Sequence, residues 1–176
     1  WMTIKNQRRF YLHRIILVLT QDENKSLAYD SAIEFCNDLT DGHTEHDYYN
    51  PLKTSDRKYD TLFAKKKTFD ISDETVYKNG QTIFGELSRL INVGKQESLS
   101  WIKKADEALH DENNSFYDYY LYLKLATGLS TFHVFDATGW SSGGPVTDID
   151  YFNKIVTYMT KEYKNPIYVS GFDVHY

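Results

Sequence analysis

The hydrophobic positions in the first forty residues predict a buried strand followed by an amphipathic helix. Residues 15–19 are apolar at every position, which is typical of a central strand covered on both faces, and we assign the strand to Phe10–Thr20. Residues 26–39 then repeat apolar side chains at helical spacing, from Ala28 to Leu39. This β-α unit is the strongest structural signal in the chain.

The C-terminal part repeats the same plan. A strand is predicted over Thr131–Ala137, a helix capped by Thr147 follows, and Asn165-Pro166 ends that helix. The last strand covers Ile167–Tyr176, and its apolar alternation changes phase at Gly171, which indicates a bulge.

The middle of the chain is less regular and then predominantly helical. Residues 41–60 predict a loop with a short strand near Asp47–Tyr49, and Thr61–Ile71 predicts an edge strand. Residues 75–129 predict three helices. The first ends at Gly94, the second is capped by Ser98, and the third starts at Asn114 or Ser115.

These elements predict an α+β fold. Two β-α-β halves separated by a helical block resemble a ferredoxin-like split βαβ sheet with a helical insertion. We therefore expect one domain over residues 2–176, with residues 75–129 as the insertion.

Composition narrows the class of protein. Hydrophobic residues make up 41% and charged residues 26%, which is ordinary for a globular chain, and the net charge of −5 gives no basic footprint for direct nucleic-acid binding. The single cysteine, Cys36, excludes an internal disulfide and lies on the apolar stripe of the first helix, so we place it in the core. No apolar run approaches the roughly 20 residues of a membrane span. We expect a cytoplasmic protein without a cofactor.

Tyrosine is the unusual residue, with 15 in the chain. The segment 116–122 carries more aromatic side chains than one buried helix face accommodates. We expect Phe116, Tyr120 and Leu123 to face the core, which directs the remaining aromatic side chains elsewhere. The predicted partner-binding patch comprises Tyr117, Tyr119, Tyr122 and Asp118, with Tyr48 and Tyr49 as a second group. The alternative is a wide helix buried inside an inserted bundle.

A second set of residues suggests metal or acid–base chemistry. His133, Asp136, Asp173 and His175 lie on the two C-terminal strands. Asp173 and His175 share one face of a regular strand, whereas His133 and Asp136 are three residues apart and point to opposite faces. The segment containing His43 and His46 is the other candidate metal site, although its spacing matches no diagnostic motif.

Two short segments carry a resemblance. The overall character of the chain resembles the small accessory proteins of bacteriophages and mobile elements, and the residues that carry the resemblance are Asp47-Tyr48-Tyr49 and the segment 172–176. The resemblance implies an anti-CRISPR or other anti-defence inhibitor that occupies a binding surface on a nucleic-acid-binding host nuclease. The alternatives are a metal-dependent hydrolase acting on nucleic acid or nucleotides, and a virion assembly protein that forms a defined homo-oligomer.

Overall fold

The structure, a computed structural model, describes residues 13–40, 48–51, 62–63, 68–77, 80–111, 116–128, 132–137, 146 and 148–175. The elements are β1 (His13–Gln21), α1 (Lys25–Thr40), β2 (Tyr48–Pro51), β3 (Thr68–Asp70), α2 (Ile83–His110), α3 (Phe116–Gly128), β4 (Phe132–Asp136), α4 (Ile149–Glu162) and β5 (Ile167–His175). Within these ranges, no helix combines the length and apolar composition needed to cross a bilayer.

The strands form one mixed sheet in the order β2-β5-β1-β4, and β3 also pairs with β5. β1 runs parallel to β4 and antiparallel to β5. β2 lies opposite Phe172–His175, whereas β3 lies opposite Tyr168–Ser170, so the two short strands follow the same edge of β5. The α+β class predicted from the sequence is confirmed.

β1 is buried on both faces, as its continuous apolar run predicts. Ile15, Leu17 and Leu19 belong to a core that α2 and α4 cover. Ile16 and Val18 belong to a second core, which α1 covers. Because successive strand residues point to opposite faces, α1 lies on one side of the sheet and α2 and α4 lie on the other.

The ferredoxin-like split arrangement is not confirmed. In that plan, the strand after the first helix pairs with the strand that corresponds to β4 of this chain. Here β2 and β3 pair with β5 instead. α1 and α4 also cover opposite faces of the sheet. Burial of β1 and β5 on both faces requires helices on both sides, which explains the layered arrangement.

The predicted bulge in β5 is wrong. The pairing of β1 with β5 keeps one register from His13 opposite His175 to Gln21 opposite Ile167. The apolar phase changes at Gly171 because residues 167–174 are all buried, so either face of this strand accepts apolar side chains.

Two helix boundaries also differ from the prediction. α2 continues through Gly94, which is buried within the helix, so the first two predicted helices are one. A glycine inside a helix costs only about 1 kcal/mol, which packing offsets. The N-cap of α4 is Asp148 rather than Thr147, since its side chain accepts hydrogen bonds from the backbone N–H groups of Asp150 and Tyr151.

The buried carboxylate in the first turn of α2 is held by one partner on the same helix. Glu86 is 1% exposed, and its two oxygens accept hydrogen bonds from Arg89 Nε at 2.7 Å and Nη2 at 2.8 Å. Since the pair is bidentate, it compensates a charge that is otherwise costly to bury.

We expect Arg89→Met to lower the free energy of unfolding by roughly 2 kcal/mol, because Glu86 would keep its burial and lose its counter-ion. The Arg89 guanidinium is partly exposed to solvent, so the loss of stability is smaller than for a fully buried ion pair. Urea unfolding followed by circular dichroism measures it. The double variant Glu86→Gln with Arg89→Met removes the buried charge and should recover part of the loss. A single variant as stable as the wild type would contradict a structural role for the pair.

Candidate protein-binding surface

α2 extends beyond the sheet. Its 28 residues span roughly 42 Å. In the first half, Ile83, Leu87 and Leu90 pack in the core, whereas after Gly94 only Ala105 and Ala108 are buried. The second half of α2 therefore projects from the body with little of its surface covered.

α3 packs antiparallel against this projecting half. The rings of Trp101 and Tyr122 stack with centroids 6.0 Å apart and planes at 20°. Lys104 Nζ lies 4.1 Å from the centroid of the Trp101 ring on the same helix. Ala105 on α2 and Ala126 on α3 are both buried. We call residues 95–110 of α2 together with α3 the hairpin.

The hairpin exposes a concentration of large apolar and aromatic side chains. Phe116 is 76% exposed and Tyr117 is 68% exposed. Among the described side chains of the hairpin, the large exposed ones are Leu99, Ile102, Leu109, Phe116, Tyr117, Tyr120 and Leu121. Single exposed apolar residues are normal, but a contiguous group of this size is typical of an interaction surface.

The structure places the predicted tyrosines unequally. Tyr117 is exposed as predicted, whereas Tyr119 and Tyr122 are half-buried, with Tyr122 stacked on Trp101. The expectation that Phe116 and Tyr120 face the core is wrong, since both are exposed. Tyr119, Tyr122 and Ala126 form the inward stripe instead, since they follow one another at helical spacing and are half-buried or buried.

The other predicted partner-binding residues lie at different positions. Asp118 on α3 is half-buried. Tyr48 and Tyr49 belong to β2 and pair with His175 and Val174 of β5, while their side chains lie outside the described residues. Their role in partner binding stays a prediction.

Three surface residues of α2 were missed by the sequence reasoning. Leu99, Ile102 and Leu109 are exposed. The available signal was the pair of alanines, Ala105 and Ala108. Small residues at three-residue spacing mark the side of a helix that a neighbour approaches most closely.

The strand register separates the two aspartates proposed for catalysis. Asp136 pairs with Leu19 and Asp173 pairs with Ile15. Four residues along β1 correspond to about 13 Å, and the two aspartates lie on opposite flanks of that strand. Both are buried. The arrangement does not bring these two carboxylates to one metal ion.

The structure does not describe the side chains of the four histidines that were proposed as metal ligands or acid–base groups. His133 pairs with Ile16 and His175 with His13, and their side chains lie outside the described residues, as do His43 and His46. Within the part of the chain that the structure describes, no three His, Cys, Asp or Glu residues converge to hold a metal ion.

Cys36 is placed as the sequence predicted. It is fully buried in the core beneath α1, and this burial raises the pKa of its thiol well above the ordinary value. A thiol that stays protonated in an apolar core is not a nucleophile.

Two surface clefts accompany the sheet. The larger, of about 560 Å³, has Phe84, Val156 and Ile167 in its lining and Lys161 and Lys164 at the end of α4. The smaller, of about 340 Å³, lies at the end of β1 and is lined by acidic residues of α1. The described lining of both lacks histidine and cysteine, the residues that most often move protons or attack substrates near neutral pH.

The hairpin is thus the surface best suited to bind another molecule. Its aromatic and aliphatic side chains are placed to pack against another protein, and the tip carries acidic groups, including Asp106 and Asp111, that can pair with cations. Comparison of the chain with protein-family models, with curated proteins and with solved structures found no match.

Proposed function

We propose that this chain is a non-enzymatic protein-binding inhibitor whose hairpin docks on a host protein. The observation that carries the proposal is the exposure of large apolar and aromatic side chains on a helical projection that the core does not need. Tyrosine and phenylalanine of this kind supply most of the binding energy in protein interfaces.

The far side of α3, which we define as Tyr117 and Leu121, supplies the anchor. Both residues are exposed and lie on the side of α3 that is turned away from α2. A tyrosine with this exposure contributes a rigid apolar ring and a hydroxyl that can donate or accept a hydrogen bond. Tyr117 therefore replaces the wider group of tyrosines as the leading anchor.

The charge of the hairpin tip suggests the kind of surface it meets. Glu107 and Asp111 are exposed there, and the half-buried Asp118 follows Tyr117 on α3. The exposed cations nearby are Lys103 and Lys104. Acidic groups beside aromatic anchors suit a basic groove and speed association with it. This supports the finer proposal that the partner is a nucleic-acid-binding nuclease of host defence, which the inhibitor occludes in the cytoplasm.

We expect Tyr117→Ala to weaken capture of the host partner by about tenfold or more, because the ring is an anchor that the fold does not need. The measurement is a pull-down from a bacterial lysate containing defence nucleases, with mass spectrometry of the bound fraction and titration of the partner found. Tyr151→Ala is the matched control, since Tyr151 is an exposed tyrosine on α4.

Each result of the pull-down has a distinct meaning. One stoichiometric nuclease, lost with Tyr117→Ala and kept with Tyr151→Ala, supports the proposal. Equal capture by both variants removes the far side of α3 from the interface. If the folded chain captures no partner, the inhibitor proposal fails, and metal analysis of wild type against His175→Ala then tests the hydrolase alternative.

A further inference from the structure

One side of the hairpin forms a largely apolar seam. On α2, the inward residues Trp101 and Ala108 are each followed directly by an exposed apolar residue, Ile102 and Leu109. On α3, the inward Tyr119 is followed by the exposed Tyr120. Along an α-helix, each residue is rotated by about 100° from the one before it. Seen from one end of the hairpin, the two antiparallel helices turn in opposite directions, so the exposed residues that follow the inward ones lie on the same side of the hairpin.

The seam on α2 has heptad spacing. Lys95, Leu99, Ile102, Asp106 and Leu109 follow one another at intervals of four, three, four and three residues. This spacing keeps side chains on one narrow stripe and is the pattern of helices that pair along their length. We call Leu99, Ile102 and Leu109, with Phe116 and Tyr120 of α3, the side face.

The charges in the seam are self-complementary. Lys95 and Asp106 flank the apolar pair Leu99 and Ile102 symmetrically. In an antiparallel pairing of α2 with α2 of a second copy, Leu99 of each copy lies opposite Ile102 of the other. Lys95 of each copy likewise lies opposite Asp106 of the other, so the dimer contains two such charge pairs. A parallel pairing would instead place each charge opposite its like. The sequence of the seam therefore favours a two-fold antiparallel arrangement.

Both charged groups are accessible for this pairing. Lys95 Nζ is 3.0 Å from Asp148 Oδ2, and both side chains of that pair are nearly half exposed. Asp106 Oδ1 is 3.6 Å from His110 Nδ1, with both side chains largely exposed. Exposed pairs of this kind are weak, so each group can take a second partner.

The area of the side face suits a dimer. Its five side chains are each about half or more exposed. At roughly 150–200 Å² for a large side chain, they expose roughly 400–600 Å². A standard interface takes about 800 Å² from each partner, so the side face supplies more than half of it and the flanking polar residues supply the rest.

We infer that the side face is covered by the side face of a second copy, so that two hairpins form an antiparallel four-helix bundle. The inference goes beyond the proposed function, since it involves no host protein. Tyr117 and Leu121 lie on the far side of α3 and stay accessible in this bundle, which leaves a binding surface on each copy.

The oligomeric state tests the side face. By sedimentation velocity we expect the wild type to be a dimer and Ile102→Glu to be a folded monomer, because the variant would bury a carboxylate in the seam. Leu27→Glu is the matched control, since Leu27 is an exposed apolar residue on α1, and it should stay dimeric. A wild-type chain that is monomeric up to roughly 100 µM overturns the inference, as does a dimer that Ile102→Glu leaves intact.

Charge reversal tests the antiparallel register. Asp106→Lys alone and Lys95→Glu alone each place like charges opposite one another and should weaken self-association about tenfold or more. Mixing the two variants restores opposite charges at both contacts, so a heterodimer should form. A mixture that associates no better than either variant alone overturns the antiparallel pairing.

The dimer and the host interface are tested separately. Tyr117→Ala should leave the dimer intact while it weakens host-partner capture. Ile102→Glu should abolish the dimer while Tyr117 stays exposed. Loss of both properties in Tyr117→Ala would overturn the separation of the two surfaces.

Discussion

Phe152→Ala should lower the free energy of unfolding by about 3–5 kcal/mol. The Phe152 side chain is fully buried and belongs to the core that β1 shares with α2 and α4. Its ring centroid lies 5.4 Å from that of Phe84 on α2, so its loss also removes an aromatic contact between the two helices. The expected loss is a large fraction of the stability of a domain of this size.

Urea unfolding followed by circular dichroism measures this loss, with Tyr151→Ala as the control. Tyr151 is the preceding residue on α4 and is exposed, so its substitution should change stability by less than about 0.5 kcal/mol. A Phe152→Ala chain with an unchanged urea midpoint and slope would show that α4 does not close this core.

The central strands were predictable from the sequence because burial on both faces leaves a continuous apolar run. Residues 15–19 have that run, and β1 occupies His13–Gln21. The same property made β5 misleading. A strand buried on both faces does not need alternating apolar and polar residues. The change in that alternation at Gly171 was therefore mistaken for a bulge, although the pairing with β1 is uninterrupted.

The order of the strands was not predictable in the same way. Pairing of β2 and β3 with β5 depends on contacts between residues that are far apart in the chain, such as Thr68 Oγ1 and Ser170 Oγ, which are 102 positions apart and 2.8 Å from each other. Such contacts leave no periodic signal in either segment. Local patterns therefore predicted strands and helices but not the neighbours of each strand.

The candidate surface was predicted in part. The excess of aromatic residues on α3 indicated that some must be exposed, and Tyr117 is. Which side faces α2 was misjudged because helical spacing is compatible with more than one buried side in a helix this rich in aromatic residues. In this hairpin the contact side carries Ala105 and Ala126, and the larger Phe116 and Tyr120 are outside. The contact side also carries the stacked rings of Trp101 and Tyr122, so side-chain size does not separate the buried side of this hairpin from the exposed side.

Trp101→Ala should loosen the hairpin by about 2–4 kcal/mol while it leaves the sheet intact. The indole ring stacks on the Tyr122 ring with centroids 6.0 Å apart, and this contact joins α2 to α3 on the projecting half. Lys104 Nζ over the same ring adds a cation–π interaction that would also be lost. Since this part of α2 buries few other side chains, the loss falls on the hairpin rather than on the whole fold.

Hydrogen exchange distinguishes this local loosening from global unfolding. In Trp101→Ala, amides of α3 and the second half of α2 should exchange faster, whereas amides of β1 and β5 should keep their protection. Ser100→Ala is the matched control, because Ser100 is the adjacent exposed residue, and it should change neither set. Faster exchange in β1 as well would show that the hairpin supports the body of the fold. Unchanged exchange in α3 would show that the Trp101–Tyr122 stack does not hold the hairpin, and that Ala105 and Ala126 suffice to position the far side and the side face.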